Sequence, residues 1–267
     1  MITVLDVTGL ATVQDGGRPG HMHEGVPPGG PLVPELLARA NAAVGNEEGA
    51  AGLEVVGALT LTGPTGTLVA ADDGIAVELD VRSPWRITAA GGRVRYVAVQ
   101  GGIDVPRVLG GRGTLLGAAF GGHEGRALRR GDVLPVGEPG ARRKEPPPPA
   151  FDLEGAIRVV TGPDLDRFDP HALALLLSNE YRVDPRSDRV GIRLTGPVLI
   201  RAGDDLGPSA PMVRGALQVP SSGAPIVLGP DHPTTGGYPV LATVVAGSLG
   251  AIGARPVGAA VRFVLAG

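Results

Sequence analysis

Glycine and proline break this sequence into short segments along its whole length. The chain has 44 glycines and 26 prolines, about a quarter of its 267 residues. Both residue types favour turns and interrupt regular structure. They separate short runs of valine, leucine and isoleucine, which can bury a core. We therefore expect a globular chain rich in strands and turns, with one large domain or two small ones.

A run of four prolines at residues 146–149 marks the clearest boundary in the sequence. Consecutive prolines form an extended spacer that neither a helix nor a central strand can include. We predict an N-terminal domain at residues 1–145, a proline-rich linker at 146–150 and a C-terminal domain at 151–267.

Most of the remaining sequence has the pattern of β-strands. Alternating or β-branched runs predict strands at residues 2–7, 67–71, 75–79, 94–99, 157–160, 198–201, 226–228, 241–245 and 260–265. Only residues 34–44 and 169–178 carry the apolar spacing and end signals of helices. In the first of these, Pro34 suits the opening position and Gly45 the left-handed stop. The predicted fold class is mainly β with a few short helices.

The composition excludes several classes of function. Because the chain has no cysteine, disulfides, thiolate nucleophiles and sulfur-ligated zinc are ruled out. Lys144 is the only lysine and precedes the four prolines, so we expect neither a P-loop nor a Schiff-base enzyme. A net charge of -3 with scattered basic residues argues against nucleic acid as a partner. We see no signal peptide or membrane-spanning run, and expect a cytoplasmic protein without membrane partners.

Two polar clusters follow predicted strands and could each bind an anion. Gln14-Asp15-Gly16-Gly17-Arg18 places an amide, a carboxylate and a guanidinium on one tight turn, where Arg18 could hold a carboxylate or phosphate. In residues 231–239, the run Thr234-Thr235-Gly236-Gly237 could form a nest of converging main-chain N–H groups. A turn held by its own side chains is the alternative interpretation of both clusters.

Three further groups of polar residues have two interpretations each. His21 and His23 could share a face and bind a metal, but no third ligand follows at matching spacing, which favours a solvated loop. His123 lies in a glycine-flanked loop, where it could act as a general acid or base, or could simply belong to an exposed turn. Ser187-Asp188-Arg189 offers either a guanidinium for a ligand or an internal bond. The common hydrolase, zincin and dinucleotide motifs are absent from the sequence.

Ordered motifs run along almost the whole chain. They are Gln14-Asp15-Gly16-Gly17-Arg18, Ala40-Asn41, Leu53-Glu54, Gly101-Gly102-Ile103-Asp104-Val105-Pro106, Gly121-Gly122 with Glu124-Gly125-Arg126, Gly131-Asp132, Ser187 with Arg189, Gln218-Val219-Pro220, Asp231 and Thr234-Thr235-Gly236-Gly237-Tyr238-Pro239. Together they resemble the C-type 5-oxoprolinase subunits among the biotin-dependent carboxyltransferase-like proteins, a group also called allophanate hydrolase subunit 2. The chain departs from that pattern at residues 28–32, where many members read Ser-Gly-Ala-Met-Asp, and at Val190 and Ile192, which replace Met and Tyr.

The resemblance implies two cyclophilin-like β-barrel domains and work as one component of a complex. The first function that it implies is ATP-dependent hydrolysis of 5-oxo-L-proline to L-glutamate, with a B-type 5-oxoprolinase subunit as main partner and an A-type subunit. ATP would be bound by the complex, and the isolated chain would be inactive. The second is a biotin-dependent carboxyltransferase component of the urea carboxylase type, with biotin carried by another protein. The third is a non-catalytic antagonist of a B-type partner that resembles a kinase inhibitor.

The resemblance, together with the glycine-flanked polar clusters, implies a site that the partner chain completes. The catalytic set is Arg18, Arg189, Thr234, Thr235 and Tyr238, and the substrate-binding set is Gln14, Asp15, Gln218, Asp231, Gly236 and Gly237. These groups could polarise an amide carbonyl and stabilise an oxyanion. We expect no metal at this site.

Overall fold

The computed structural model describes residues 1–89, 93–140, 155–203 and 208–267. The chain forms two compact units, one of Met1–Pro19 with Pro28–Ala150 and one of Gly20–Pro27 with Phe151–Gly267. The predicted linker at residues 146–150 lies outside the described residues. Among the described residues, strands far outnumber helices, and three short α-helices accompany them, which confirms the predicted mainly β class.

A curled, half-barrel sheet forms the first unit. Its strands are β1 (Ile2–Gln14), β2 (Gly52–Thr62), β3 (Leu68–Ala71), β4 (Ala76–Glu78), β5 (Trp85–Thr88), β6 (Arg95–Val99) and β7 (Val133–Leu134). They lie in the order β4-β3-β6-β2-β1-β7, and β5 pairs with β2 as well. All the pairings are antiparallel among the described strands of this unit.

Strand β1, which pairs with β2, is much longer than the strand predicted at residues 2–7. Its pairing runs from Thr3 opposite Thr62 to Gln14 opposite Gly52. Gly9 and Gly57 face each other midway, both at positive φ, and a Cβ on either would lie about 2 Å from a carbonyl oxygen of the other strand. Only glycine allows this close crossing. Strand β1 therefore continues through Gly9, a residue that looks like a strand end in the sequence.

One α-helix packs on this sheet, against β6 and β3. Helix α1 spans Pro34–Val44, as predicted, with Pro34 in the first turn. Gly45 adopts the left-handed conformation, and its N–H donates to the carbonyl of Ala42. The proline start and the glycine stop thus predicted both ends of this helix correctly.

A nearly closed barrel forms the second unit. Its strands are β8 (Ile157–Thr161), β9 (Tyr181–Val183), β10 (Gly191–Thr195), β11 (Ala210–Pro211), β12 (Ala216–Gln218), β13 (Ile226–Leu228), β14 (Thr235–Gly236), β15 (Val240–Val244), β16 (Ala260–Val261) and β17 (Phe263–Leu265). Eight of them lie in the order β16-β9-β10-β13-β12-β15-β8-β17, and β11 and β14 form a separate ribbon. Only Arg262 separates β16 from β17, so one stretch of chain pairs with both β9 and β8 and joins the two ends of the sheet.

Two predictions for this unit need correction. Helix α2 spans Ala172–Ser178 rather than 169–178, because the Asp169 carboxylate accepts the N–H of His171 in a turn before the helix. The predicted strand at 198–201 is absent from the described structure, apart from a bridge between Arg201 and Phe168. It follows Pro197 and buries only Leu199, which gives it too little inward surface to join the sheet.

A third helix, α3, was not predicted. It spans Ala246–Ala254 and contains three glycines, which have low helix propensity. Burial of Ile252 holds it on the barrel, and the main-chain N–H of Arg158 donates to the Ser248 hydroxyl at 3.2 Å. Tertiary packing therefore outweighs propensity in this segment.

Each unit has its own hydrophobic core. The first is built around Val13, Leu53, Leu59, Val97 and Leu134, and the second around Leu176, Tyr181, Leu217, Leu241 and Phe263. Of the helices among the described residues, none is long and apolar enough to cross a membrane.

Candidate functional site

The carboxylate of Asp15 anchors the turn that follows β1. Its Oδ1 accepts the main-chain N–H groups of Gly17 at 3.0 Å and Gly113 at 3.1 Å, and its Oδ2 accepts that of Arg112 at 2.6 Å. Asp15 is buried. A carboxylate with three such bonds is a strong tie between two segments. Asp15 thus fastens the end of β1 to the loop of residues 107–125, here called the glycine loop.

Arg18 is buried against the same glycine loop. Its side chain is one of the largest fully buried in the chain, with 1% of the residue exposed. The guanidinium donates to the carbonyls of Gly113 and Val108 and lies 4.9 Å from the ring centroid of Phe120. The structure therefore places Arg18 as an internal support of the loop, and its predicted contact with a ligand stays a prediction.

Gln14 completes this cluster from the last position of β1. Its Nε2 donates to Thr12 Oγ1 at 3.2 Å and to the carbonyl of Thr114 at 3.1 Å. Its Oε1 is buried without a hydrogen-bond partner among the described residues. A Cβ on Gly113 would lie 2.8 Å from that oxygen, so a larger residue there would require the Gln14 side chain to shift. The first polar cluster is thus a buried brace between β1 and the glycine loop.

Glu54 and Tyr96 hold the entrance to α1, a role that the predicted site set did not include. Glu54 Oε2 accepts the N–H of Leu32 at 2.8 Å and the hydroxyl of Tyr96 at 2.6 Å, while the N–H of Val33 donates to that hydroxyl at 2.9 Å. All four residues are buried. The chain departs from the family pattern at residues 28–32, and there the main chain of Leu32 is held by a buried carboxylate.

A cavity of about 570 Å³ opens in the first unit beside these braces. Glycines form much of its wall, and its polar side chains include Asn46, Glu47, Asp104, Arg107, Arg112 and Glu138. Arg112 Nη2 donates to Asp104 Oδ1, and Asp15 holds the main-chain N–H of Arg112. Sequence reasoning missed these charged residues. The signal that it could have used is their position beside glycine pairs, at Gly101-Gly102 and Gly110-Gly111.

Arg189 and Asp231 form a buried, bidentate ion pair in the second unit. Arg189 Nε lies 2.7 Å from Asp231 Oδ2, and Nη2 lies 2.9 Å from Oδ1. The two side chains are 9% and 8% exposed. The main-chain N–H of Asp231 also donates to the carbonyl of Arg189 at 3.1 Å. This pair fixes the start of the 231–239 segment to the chain just before β10.

The nest considered as one interpretation of residues 234–237 is not formed by Thr235 and Gly236. Thr235 and Gly236 are extended and pair with Pro211 and Ala210, so their N–H groups do not converge on one point. The carbonyl of Thr234 accepts the N–H of Met212 at 3.0 Å. The hydroxyl groups of Thr234, Thr235 and Tyr238 are therefore better candidates for contact with a ligand than a nest formed by Thr235 and Gly236.

Gln218 is buried beneath this segment. Its Nε2 donates to the carbonyl of Tyr238 at 3.3 Å and approaches Met212 Sδ at 3.0 Å. Tyr238 is 42% exposed, Thr235 is exposed and Thr234 is half-buried. Among the predicted site residues of the second unit, Thr234, Thr235 and Tyr238 have side chains that reach solvent. Hydrogen bonds from Met212 and Gln218 hold the main chain that carries them.

His232, next to the ion pair, is almost fully buried. Its Nδ1 lies 2.8 Å from the carbonyl of Pro233. Burial lowers the pKa of His232, and the Pro233 hydrogen bond offsets part of this effect, while the smaller effects of the Arg214 and Asp231 charges oppose each other. His232 is therefore held as the neutral imidazole near pH 7.

Arg126 organises the turn that contains His123. It donates to Glu124 at 2.7 Å and to both oxygens of Asp132 at 2.8 and 2.9 Å. These hydrogen bonds lower the pKa of Asp132 to about 2. His123 Nε2 lies 3.5 Å from Asp132 Oδ1. His123 thus lies beside the Asp132 carboxylate, which is already bonded to Arg126. The acid-base role considered for His123 stays a prediction.

The predicted site residues thus fall into two sets. Gln14, Asp15 and Arg18 lie together in the first unit, and the remaining eight lie in the second. Of the two other departures from the family pattern, Val190 is exposed and Ile192 is buried in the barrel core. No group of three or more histidine, aspartate or glutamate side chains that could hold a metal ion occurs in the described ranges.

Comparison with known proteins decides the family. The family described as "Carboxyltransferase domain, subdomain A and B" matches residues 24–265. The chain belongs to this carboxyltransferase family. The resemblance inferred from the sequence motifs is therefore confirmed.

Relatives in the carboxyltransferase family place the chain beside two kinds of protein. It is 35% identical to the C-type subunit of Escherichia coli 5-oxoprolinase over 99% of this chain and 91% of that protein. It is 33% identical to urea amidolyase of Lachancea kluyveri over 95% of this chain but 16% of that protein. The crystal structure of Kluyveromyces lactis urea carboxylase matches with a TM-score of 0.86 and 26% identity, over the whole of this chain and 27% of that one.

Proposed function

We propose that this chain is the C-type component of an ATP-dependent 5-oxoprolinase, which hydrolyses 5-oxo-L-proline to L-glutamate with a B-type main partner and an A-type protein. The observation that carries the proposal is the match to the Escherichia coli C-type subunit, which spans 91% of that protein. The urea amidolyase match spans 16% of a much longer protein. A relationship along nearly the full length of both chains supports a shared role better than one to a single segment.

The reaction requires groups that polarise the lactam carbonyl and stabilise the oxyanion. In the proposal, the hydroxyl groups of Thr234, Thr235 and Tyr238 contact the substrate. The exposure of Thr235 and Tyr238 supports this assignment. The buried pair of Arg189 and Asp231 acts through them, by fixing the segment that carries them.

Anchoring of this segment favours catalysis because fixed dipoles need no reorganisation during the reaction. The carbonyl of Thr234 is bonded to the N–H of Met212, and that of Tyr238 to Gln218. The main chain is therefore held on both sides of Thr235. In the first unit, Gln14, Asp15 and Arg18 serve as positioning residues of the glycine loop.

The proposal assigns the phosphates of ATP to another protein of the complex. Glycine turns bind phosphates through free main-chain N–H groups. At the cavity of the first unit, Gly101 N–H already donates to Asn46 Oδ1 at 2.9 Å and Gly102 N–H to the carbonyl of Val99 at 2.8 Å. These glycines do not fit a phosphate cradle. Lys144, the only lysine, lies outside the described residues.

A cytoplasmic location of the protein stays a prediction.

A reconstitution assay tests the proposal. The full chain is mixed with its A-type and B-type partners, and 5-oxo-L-proline-dependent ADP release is measured while each protein is omitted in turn. Turnover that needs all three proteins is the expected result. Urea-dependent turnover that requires a biotinylated carrier would replace the proposal with the carboxyltransferase alternative, which the urea amidolyase similarity favours as second candidate. A complex of this chain with its B-type partner but no turnover would favour the regulatory alternative.

Variants of the exposed hydroxyl groups test the site within the same assay. Thr235→Ala and Tyr238→Phe each remove one hydroxyl, and we expect kcat/KM to fall on the order of a hundredfold. Thr161→Ala, at an exposed threonine of β8, is the matched control and should leave kcat/KM unchanged. Size-exclusion chromatography shows whether each variant still enters the complex. Wild-type turnover of both hydroxyl variants in an intact complex would refute the assignment.

A further inference from the structure

The cavity of the first unit carries guanidinium groups with hydrogen-bonding capacity to spare. Arg107 Nη1 donates to the carbonyl of Gly110 at 3.2 Å, and Arg112 Nη2 donates to Asp104. Within the part of the chain that the structure describes, neither guanidinium has a further protein partner, and the Arg107 side chain is exposed. A planar guanidinium with open N–H groups binds carboxylates well. The cavity is therefore equipped to receive one.

The same cavity carries more carboxylates than these two cations can balance. Glu47 and Glu138 line it, both exposed, and neither side-chain carboxylate has an ion-pair or hydrogen-bond partner in the described ranges. Asp104 is half-exposed, with one oxygen bonded to Arg112. Asp15 also contributes to the wall, but its oxygens are occupied by three N–H groups. The surplus of open acceptors favours a ligand that also brings a positive, donating group.

We propose that this cavity binds a free amino acid through both of its charged groups. The guanidinium groups of Arg107 and Arg112 take the carboxylate, and the carboxylates of Glu47 and Glu138 take the ammonium group. The acidic surplus does not point to a metal, because the described residues contain no suitable ligand cluster. The volume of about 570 Å³ lies within the usual range of small-molecule sites, about 300–1,000 Å³.

The braces described above set the position of Arg112 in this site. Asp15 fixes its main-chain N–H, and Arg18 holds the neighbouring carbonyl of Gly113. Asp104 orients its side chain through the ion pair. The cluster at the end of β1 therefore acts on the ligand indirectly. This inference is independent of the proposed function, because it depends only on the charges that line the cavity.

Isothermal titration of the full chain tests the inference without any partner protein. L-glutamate is the first probe and the other common amino acids follow. Glutarate lacks the ammonium group, a simple diamine lacks the carboxylate, and 5-oxo-L-proline carries an amide nitrogen in place of the ammonium. We expect at least one amino acid to bind, and each incomplete probe to bind about tenfold more weakly or worse.

Charge-neutralising variants locate the binding. Arg107→Gln, Arg112→Gln and Glu47→Gln should each weaken amino-acid binding about tenfold. Arg130→Gln and Glu78→Gln make the same changes at exposed positions that do not line the cavity, and should not change it. Because Arg107 and Glu47 are exposed, these two variants should keep the fold, as circular dichroism can show.

Three results would overturn the inference. The first is the absence of binding by every amino acid up to about 10 mM. The second is equal affinity for L-glutamate and glutarate, which would show that the ammonium group is not recognised. The third is unchanged affinity in the folded Arg107→Gln and Glu47→Gln variants, which would place the ligand elsewhere.

Discussion

The ion pair of Arg189 and Asp231 allows a quantitative prediction for the second unit. Asp231→Asn keeps the shape of the side chain but removes its charge. The guanidinium stays buried, since the two side chains are only 9% and 8% exposed. Breaking a buried pair by removal of one partner costs about 3–5 kcal/mol. Two charge-assisted bonds, at about 1.5–3 kcal/mol each, give a similar figure.

The double variant Arg189→Met/Asp231→Leu separates the cost of removing Asp231 from beside the buried guanidinium from the net value of the pair. Replacement of both partners by apolar residues of similar size is often neutral or stabilising. We expect the double variant to lose less stability than Asp231→Asn, by about 2 kcal/mol. Glu180→Gln serves as control, because Glu180 pairs with Arg182 and Arg262 at the surface, where each such pair contributes less than about 1 kcal/mol.

Hydrogen exchange measured by mass spectrometry suits this chain better than one global unfolding curve, because two compact units need not unfold together. Peptides covering residues 181–195 and 216–228 report the barrel beside the pair. Asp231→Asn should speed exchange there, to an extent that matches the lost free energy. A loss below about 1 kcal/mol, or a double variant as unstable as the single one, would refute the reasoning.

Three further predictions follow from individual buried groups. Burial lowers the pKa of His232, so the unfolded chain binds its proton more readily and stability should fall as the pH drops below about 6.5; His232→Gln should reduce this slope in urea titrations between pH 7 and 5, and an unchanged slope would contradict the assignment. Arg126 holds the pKa of Asp132 at about 2, so this stabilisation is complete above about pH 5 and is lost as the pH falls towards 2. Asp132→Asn should therefore lower the free energy of unfolding by about 2 kcal/mol at neutral pH and by less in acid. The same change at the exposed Asp6 should leave the free energy of unfolding unchanged. Burial raises the pKa of Tyr181 to about 12, and its hydroxyl has no partner among the described residues. Tyr181→Phe should therefore leave the free energy of unfolding unchanged or raise it by up to about 1 kcal/mol, which a measurement of the melting temperature can check.

The fold was predictable from sequence where local signals and tertiary structure agree. Pro34 and Gly45 mark the two ends of α1, and the structure keeps both. Most short β-branched runs are strands. The predictions fail where tertiary packing determines the local structure. Examples are the glycine-rich helix α3 and the long paired strands β1 and β2, in which Gly9 faces Gly57. No sequence window shows that a partner strand lies opposite a glycine, so these elements could not be predicted locally.

The candidate site was predictable in its residue types but not in the direction of its side chains. The turn after β1 does contain a carboxylate and a guanidinium, yet Asp15 and Arg18 face main-chain groups of the glycine loop. Their partners are about a hundred residues away in sequence, which motif spacing cannot reveal. The same loop carries Arg112 into a cavity whose other charged residues belong to separate motifs.

This arrangement changes what loss of activity in a variant would mean. Arg18→Ala would remove the support of Gly113 and so displace Arg112, and activity would then fall even if Arg18 touched no ligand. Loss of activity alone therefore cannot identify Arg18 as a catalytic residue. A positioning role predicts faster hydrogen exchange across the glycine loop together with lost activity, whereas a direct contact predicts lost activity in a loop of unchanged protection. The exchange pattern of Arg18→Ala, compared with that of Arg107→Gln, distinguishes the two roles.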